Sequence, residues 1–585
     1  MAKSTNIKAQ QTSANKTSSA NAANETTAGN ERRSSTFTIA SLIAGLFLFC
    51  AIYTLRLDRV AGLFVDDAWY VLLAKSLATG QGYQLMNSPS PGLLPIYPPG
   101  FPFLVSLVYR LWPDFPSNVI LLKSVSVLAM LGVGWASYKH FKTDRKWPHL
   151  LSLICALVVA LAPGLVFLAT SSVMSECVFT CVQLLAMLAT ESSARAENEK
   201  SQLRNAVFGG ALAAIAFLTR SIGLAVVGAG FIYLLKERKW KPAAVFAIAV
   251  LVLVTPWMLY SRTHRPTDAQ RAEQNGMIVQ EYSTTLWQRK AGDTSSGTIG
   301  VSGLPDRMWA NAMKIASNNV AMIFAPPLYR SPKISGEETL EKGTETRVLS
   351  YLLSLMMMFG FALTVRRRIM LAELVTAFTL LITMLWPWDT FRFLLPLIPF
   401  LLYYLLEAIR GIGDFAQQKL ETKPSAHPWR ALLVAAGLIL TLYVYDHTIY
   451  IAKRSDLSRA EYLPWRAIFD ENQEALNWIR EKTSESSIVA SLNPALVYLY
   501  TGRKSVASDN PEANWENWKR LNVRYMAYLS VYPVGDPGMS EGRFDQAYRS
   551  KGPLKLRIVD LGGKENRLPW NPYSTSGSIK FETFK

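Results

Sequence analysis

Asp66 and Asp67 stand side by side in the stretch FVDDAWYVLLAKSLATG, shortly after an apolar run that ends at Leu55. A carboxylate placed there has two uses. It can accept the proton of a hydroxyl nucleophile within hydrogen-bond reach, or it can cap a helix, whose first turn favours negative charge. The helical spacing of Trp69, Leu72, Leu73 and Leu77, closed by Gly80 and Gly82, predicts a short helix from Ala68 to Thr79. Both uses are therefore open to the pair. Glu176, Arg220, Arg262, His264, Asp389 and Arg392 also fall at the edges of apolar runs. Guanidinium groups bind phosphate oxygens in a bidentate manner. Acids and arginines at one water–lipid boundary suit a reaction in which a base activates a hydroxyl while cations stabilise a departing phosphate.

Whether these residues share a boundary depends on the spans. Of the 585 residues 50% are hydrophobic and 18% charged, and apolar runs recur along most of the chain. This composition predicts a polytopic α-helical membrane protein. A net charge of +18 could point to nucleic acid, but the lysines and arginines cluster in short loops between apolar runs, the pattern of cytoplasmic loops. No nucleic-acid partner is expected. Arg32 and Arg33, the basic loop 139–146, the KERKWK run at 236–241 and Arg366–Arg368 mark the cytoplasmic side. The apolar runs give about eleven spans: 37–55, 118–138, 150–169, 173–190, 205–219, 221–235, 243–260, 348–365, 369–385, 393–409 and 431–450. With that count every acid and arginine named above lies at the outer edge. Arg220 is either the turn of an outer hairpin or the middle of one long helix, and parity with the later loops favours the hairpin.

The organisation that follows has a disordered cytoplasmic tail (1–36), a transmembrane part (37–450) and an extracytoplasmic soluble α/β domain (451–585). The tail is rich in Ser, Thr, Asn and Ala and cannot bury a core. A first external loop (56–117) contains the apolar piece Gly100–Trp112, too short for the roughly 20 residues a crossing needs and expected at the interface. A long external loop (261–346) carries a second interfacial helix around Arg307 to Ile323. In the last part, Glu471–Lys482 reads as an amphipathic helix and Ser487–Ser491 and Val523–Val531 as strands, with no Gly-rich phosphate loop or nucleophile elbow. The four cysteines, Cys50, Cys155, Cys177 and Cys181, all lie in apolar runs, which argues against a disulfide framework and a zinc site.

FVDDAWY after the first span, IYPPGFPF before the second, TSSVMSECVF opening the fourth, FLTRSIGLA between the fifth and sixth and FRFLLPLIP after the ninth follow one order on one side. In this the chain resembles the C-type membrane glycosyltransferase superfamily, nearest to bacterial relatives of protein O-mannosyltransferases and aminoarabinose transferases. The resemblance covers residues 37 to about 410, and the TGRKSV segment beginning at Thr501 resembles that family's external domains. It implies an enzyme of a bacterial inner membrane that moves a hexosyl or pentosyl group from a polyprenyl-phosphate donor to a glycan, lipid or protein hydroxyl on the extracytoplasmic side, with inversion. It implies that Asp66 or Asp67 is the base. Asp66 is favoured, with Asp67 capping the helix or orienting the acceptor.

The resemblance further implies that Glu176 positions the acceptor or shares the base role, and that Arg220 and Arg392 lie near the lipid phosphate. Arg262 joins them as a weaker phosphate candidate. Tyr97, Pro98 and Pro99 are expected to shape the donor cavity. Each has a plainer reading: Glu176 as a helix N-terminal acid, Arg392 as the partner of Asp389, Arg220 and Arg262 as residues snorkelling to the interface, Tyr97 as an interface anchor. Gly100 departs from the Pro-Pro-Leu of the aminoarabinose branch, so a lipid A acceptor is not carried over. No cofactor is expected and no divalent metal, since the arginines supply the positive charge. The competing class is a transporter or lipid flippase, which predicts charges at mid-span and two homologous halves. No internal repeat is visible.

Overall fold

The computed structural model describes residues 36–561, except 65, 91, 93–95, 268–269, 271–272, 274–281, 291–292, 330–343, 420–428, 456–463, 509–510 and 530–557. The expected tail lies outside the described residues up to position 35. Ten helices make the first part of the chain: α1 Thr36–Arg56, α2 Asp66–Ala78, α3 Gly100–Leu111, α4 Val119–Lys139, α5 His149–Ala160, α6 Pro163–Thr170, α7 Glu176–Arg195, α8 Glu199–Thr219, α9 Leu224–Lys236 and α10 Trp240–Thr263.

Among the described residues eight helices are long and apolar enough to cross a membrane: α1, α4 with its π-helical extension His140–Asp144, α7, α8, α10, and the helices Arg347–Arg367, Phe391–Lys419 and Arg430–Ala452. A ninth candidate is bent: α5 and α6 pass the same test together and meet at an angle of 51°, where Pro163 opens α6. The remaining two of the about eleven expected segments form the shorter apolar helices Ser221–Lys236 and Leu371–Leu385. Large apolar side chains stay in the open along α1, α10 and Arg347–Arg367, as Phe47, Leu251 and Met358 do. Such faces are stable only against lipid. The chain is an integral membrane protein.

The elements that matter for chemistry begin or break at one end of the bundle. Helix α2 starts with its two acids at the positive end of its dipole. At Arg220 the backbone turns extended (φ −149°, ψ 134°) after α8, and a short 3₁₀ turn leads into α9. Helices α8 and α9 both pack on α10 and on each other, so the chain reverses at Arg220 as the hairpin reading expects. Gly100 opens α3, and a Cβ there would stand 2.8 Å from the Leu218 carbonyl oxygen. The glycine lets α3 close on the end of α8, which a leucine at this position would prevent. At the opposite end basic loops pair with acids: Arg145 with Glu373 (2.7 Å), Arg195 with Asp144 (2.6 Å) and Arg368 with Glu237 (3.1 Å).

Past Pro464 a four-stranded sheet forms, in the order β4–β3–β5–β6, with β3 Ile488–Ser491, β4 Ser505–Ala507, β5 Val523–Ala527 and β6 Ile558–Asp560; β1 Gln288–Lys290 and β2 Asp293–Thr298 make a separate hairpin. Strand β3 pairs in parallel with β4 and β5, and β6 runs antiparallel at the edge. The helices Pro464–Lys482, Pro494–Thr501 and Pro511–Leu521 accompany it. In the TGRKS turn Arg503 is buried and donates to the carbonyls of Arg480, Thr483 and Thr501 (each 2.8 Å). It closes the C-terminal end of a helix, where a cation is favoured. The sheet is tied to the loop after α1: Asn493 donates to Gly62 O (2.7 Å), Tyr500 to Ala61 O (3.0 Å), and Asn87 and Ser505 exchange backbone and side-chain bonds.

Candidate active site

Asp66 and Asp67 point in different directions. Asp67 has no exposed surface, and its carboxylate accepts the backbone N–H groups of Gly62 (2.7 Å), Phe64 (2.9 Å) and Ala68 (3.0 Å). It fastens the turn that delivers the chain into α2. The Asp66 side chain is 29% exposed. Its Oδ1 accepts the Tyr97 hydroxyl (2.7 Å) and its Oδ2 accepts Arg392 Nη1 (2.8 Å).

Arg392, in the first turn of the Phe391–Lys419 span, reaches from Asp66 to Glu176. Its Nε and Nη2 lie 2.7 and 2.5 Å from Glu176 Oε1. That oxygen also receives Arg220 Nη1 at 2.9 Å, and the same Arg220 nitrogen donates to Ser175 Oγ (3.0 Å), which bonds the Tyr70 hydroxyl (3.0 Å). Glu176 opens α7 and is fully buried, and its Oε2 accepts no hydrogen bond. A buried carboxylate needs such cationic company to stay ionised. The remaining donors of Arg220 have no partner among the described residues. The result is a continuous chain of contacts, Tyr97–Asp66–Arg392–Glu176–Arg220–Ser175–Tyr70, drawn from five separate segments.

The IYPP segment is held by Tyr83, whose hydroxyl donates to the carbonyls of Tyr97 (2.9 Å) and Pro98 (3.1 Å). Pro98 is buried and Pro99 immediately precedes α3. The Tyr97 ring tilts onto Tyr70 at 4.8 Å. Burial and the adjacent Asp66 carboxylate hold the Tyr97 phenol well above its usual range, so it acts as a donor to Asp66.

Two of the residues named from sequence stand apart from this group. Arg262 is exposed at the end of α10 and makes no contact with the group among the described residues, because α10 runs straight on to Thr263 and carries the side chain clear. His264 beside it stacks on Tyr260 (4.1 Å). Asp389 does not pair with Arg392: it forms an ion pair with Lys314 and accepts the Phe391 N–H (2.9 Å).

Tyr70, Ser175 and a buried ion pair were not singled out from sequence. Lys123, with no exposed surface in α4, donates to Asp58 Oδ1 (2.7 Å), Asp58 O (3.0 Å) and Thr170 O (3.0 Å). It locks the end of α1 to the end of α6, just ahead of the turn that Asp67 fastens.

Asp67 has a consequence for pH. Burial pushes its carboxyl from 3.8 up to about 7, against the pull of the Gly62 and Phe64 N–H groups and of Lys123. An acid whose folded pKa is raised holds its proton better in the folded chain, so its contribution favours folding below 3.8 and is lost as pH rises to about 7. Asp67→Asn, which cannot titrate, is expected to flatten the fall of the unfolding temperature across that window. Thermal unfolding in detergent at a series of pH values measures it, and parallel wild-type and variant curves would refute it.

The sequence pattern of glycosyltransferase family 87 matches residues 96–331, less than half of the chain. Among curated proteins none matches in sequence. Among solved structures the chain superposes on ArnT from Cupriavidus metallidurans in the apo state with a TM-score of 0.52 at 12% identity, covering 83% of this chain and 92% of that one. The fold is that of the C-type membrane glycosyltransferases. ArnT bound to undecaprenyl phosphate superposes with a TM-score of 0.49 (13% identity, 82% and 88% covered). The apo oligosaccharyltransferase of Archaeoglobus fulgidus gives 0.48 (13% identity, 84% and 69% covered). Within the C-type glycosyltransferase fold of this chain, the acids and arginines described above stand at the helix starts and breaks of one end of the bundle.

Proposed function

We propose that the protein transfers a sugar from a polyprenyl-phosphate donor to a hydroxyl of a glycan, lipid or protein acceptor, at the extracytoplasmic face and with inversion. The observation that carries this reading is Arg392 held between Asp66 and Glu176 with Arg220 beside it. The acceptor oxygen attacks the anomeric carbon, its proton passes to Asp66, and the bond from that carbon to the phosphate oxygen breaks. Arg220, whose outer donors are unused among the described residues, takes the charge that grows on the leaving phosphate. In the resting site Arg392 Nη1 occupies Asp66 Oδ2. A donor phosphate competes for Arg392 Nη1 and frees Asp66 Oδ2, so donor binding prepares the base. Glu176 keeps the two guanidinium groups together. With Glu176 buried, Asp66 is the acid available at the surface, which suits a single displacement and therefore inversion.

No cofactor enters this scheme. Asp66 and Glu176 are bridged by arginine rather than turned on a common point, so the positive charge comes from the chain itself. The basic loops at the far end of the bundle suit the cytoplasmic side, which puts the N-terminus there and the C-terminal sheet outside as an α/β domain beside the acceptor's approach.

Transfer of radiolabel from a panel of polyprenyl-phosphate sugars by the purified protein tests the reading. Wild type is expected to turn over at least one donor. Arg220→Ala is expected to bind that donor roughly 10–100-fold more weakly, the worth of a hydrogen bond to a charged group. Failure of every donor to bind or react would overturn the assignment, and unchanged donor affinity in Arg220→Ala would remove Arg220 from the phosphate.

A further inference from the structure

At the other end of α7, about 22 Å from Glu176 at ~1.5 Å per residue, a second polar group is built into the bundle. We propose that it binds a divalent transition-metal ion of the zinc class, held by His140 and Asp144 of the π-helical turn that ends the second span and by Glu191 of α7.

The ligand atoms of the three side chains all lie within 4.8 Å of one another. His140 Nδ1 stands 3.1 Å from Asp144 Oδ2, the separation of two ligands that each sit about 2.0–2.2 Å from a shared ion. The π-helical turn is closed by the Arg145 N–H on the His140 carbonyl (3.1 Å), and it presents the two side chains together. Turns of this kind recur at functional sites.

Glu191 supplies the independent sign. It is 1% exposed, and neither of its carboxylate oxygens accepts a hydrogen bond. The cation facing it, Arg195 Nη1, is 3.7 Å from Oε2 and is already engaged by Asp144 Oδ1 at 2.6 Å. The other facing cation, Arg145, is taken up by Glu373 (2.7 Å) and the Tyr403 ring (4.0 Å). Its Nε–H donates a long hydrogen bond (3.4 Å) to His140 Nε2, a contact that gives way to an Nε2 proton when Nδ1 ligates. A buried carboxylate that accepts no hydrogen bond and shares its paired cation with another acid is held by a proton or by a metal. One imidazole with two carboxylates is a donor set for Zn²⁺ and its neighbours rather than for Ca²⁺ or Mg²⁺, which take oxygen ligands. The Arg195 side chain, bound to Asp144, is 43% exposed, so the group lies near the water edge. The ion would clamp the ends of two spanning helices far from the proposed chemistry, and the inference does not depend on the transferase reading.

The test uses the full-length protein, purified without a polyhistidine tag, stripped with a chelator and titrated with Zn²⁺, with bound metal read by elemental analysis and unfolding by temperature. Wild type is expected to take up a single equivalent and to unfold at a higher temperature when loaded. Glu191→Gln and Asp144→Asn are expected to weaken Zn²⁺ binding roughly tenfold or more, whereas Asp66→Asn, at the other end, binds it like wild type. Should Glu191→Gln fail to fold, His140→Asn carries the comparison. A wild type that binds no Zn²⁺, or a folded variant of the three ligands that binds it equally well, would overturn the proposal and leave a proton shared by Asp144 and Glu191 in its place.

Discussion

Asp66→Asn will lower turnover by roughly 10²–10⁴-fold, the usual worth of a positioned general base, while donor affinity holds or rises. The amide keeps the shape of the carboxylate, and its oxygen can still accept from Arg392 or Tyr97. What it cannot do is take a proton. Donor binding is spared because the substitution removes a negative charge from beside the incoming phosphate and releases Arg392 to it. Single-turnover transfer from the labelled donor, with equilibrium donor binding alongside, separates the two effects. Turnover within a few-fold of wild type would place the base elsewhere. A parallel loss of donor binding would mean that Asp66 shapes the site rather than acts in it. Asp67→Asn is the informative contrast, since Asp67 faces backbone N–H groups only and its replacement acts through the seating of α2.

Lys123→Met will destabilise the protein by about 3–5 kcal/mol, the cost of breaking a buried ion pair from one side. Asp58 is 3% exposed, and without the ammonium its carboxylate retains the Val60 N–H (2.9 Å) among its contacts, while its Oδ2 accepts nothing. The Thr170 carbonyl loses a donor as well. Removing the orphaned charge returns much of the loss, so Lys123→Met combined with Asp58→Asn is expected to unfold closer to wild type than Lys123→Met alone. Thermal unfolding of the four proteins in one detergent makes the cycle. Equal unfolding temperatures for wild type and Lys123→Met would show that water or lipid headgroups reach this pair.

The residues that meet at the site were legible because each sits where an apolar run stops. Hydropathy places Glu176, Arg220 and Arg392 at the ends of segments, and the parity of the spans puts those ends on one side. Distance within that side is another matter. Arg262 satisfies the same rule and stands clear of the group, since a helix end fixes height along the bundle but not direction around it. The choice between Asp66 and Asp67 is likewise unreadable from adjacent letters: it follows from the turn at Gly62–Phe64, whose N–H groups claim one carboxylate and leave the other at the surface. Lys123 is hidden in the sequence for the opposite reason. Its neighbours are so apolar that the run reads as an ordinary span, although a lone ammonium there signals a buried partner. The span count turns on short helices: α9 with its 3₁₀ turn and Leu371–Leu385 match the apolar pattern of spans and are shorter than the eight long ones.

The peptide group of Gly62 is shared property. Its N–H donates to Asp67 (2.7 Å) and its carbonyl accepts from Asn493 of the C-terminal part (2.7 Å), and a Cβ at Gly62 would collide with Leu496 (2.5 Å). Grafting a foreign C-terminal part onto this membrane bundle therefore also re-seats the turn that aims Asp66. A chimera keeps its aim only if the incoming piece brings its own amide to position 493 and fits the same side-chain contour at 496.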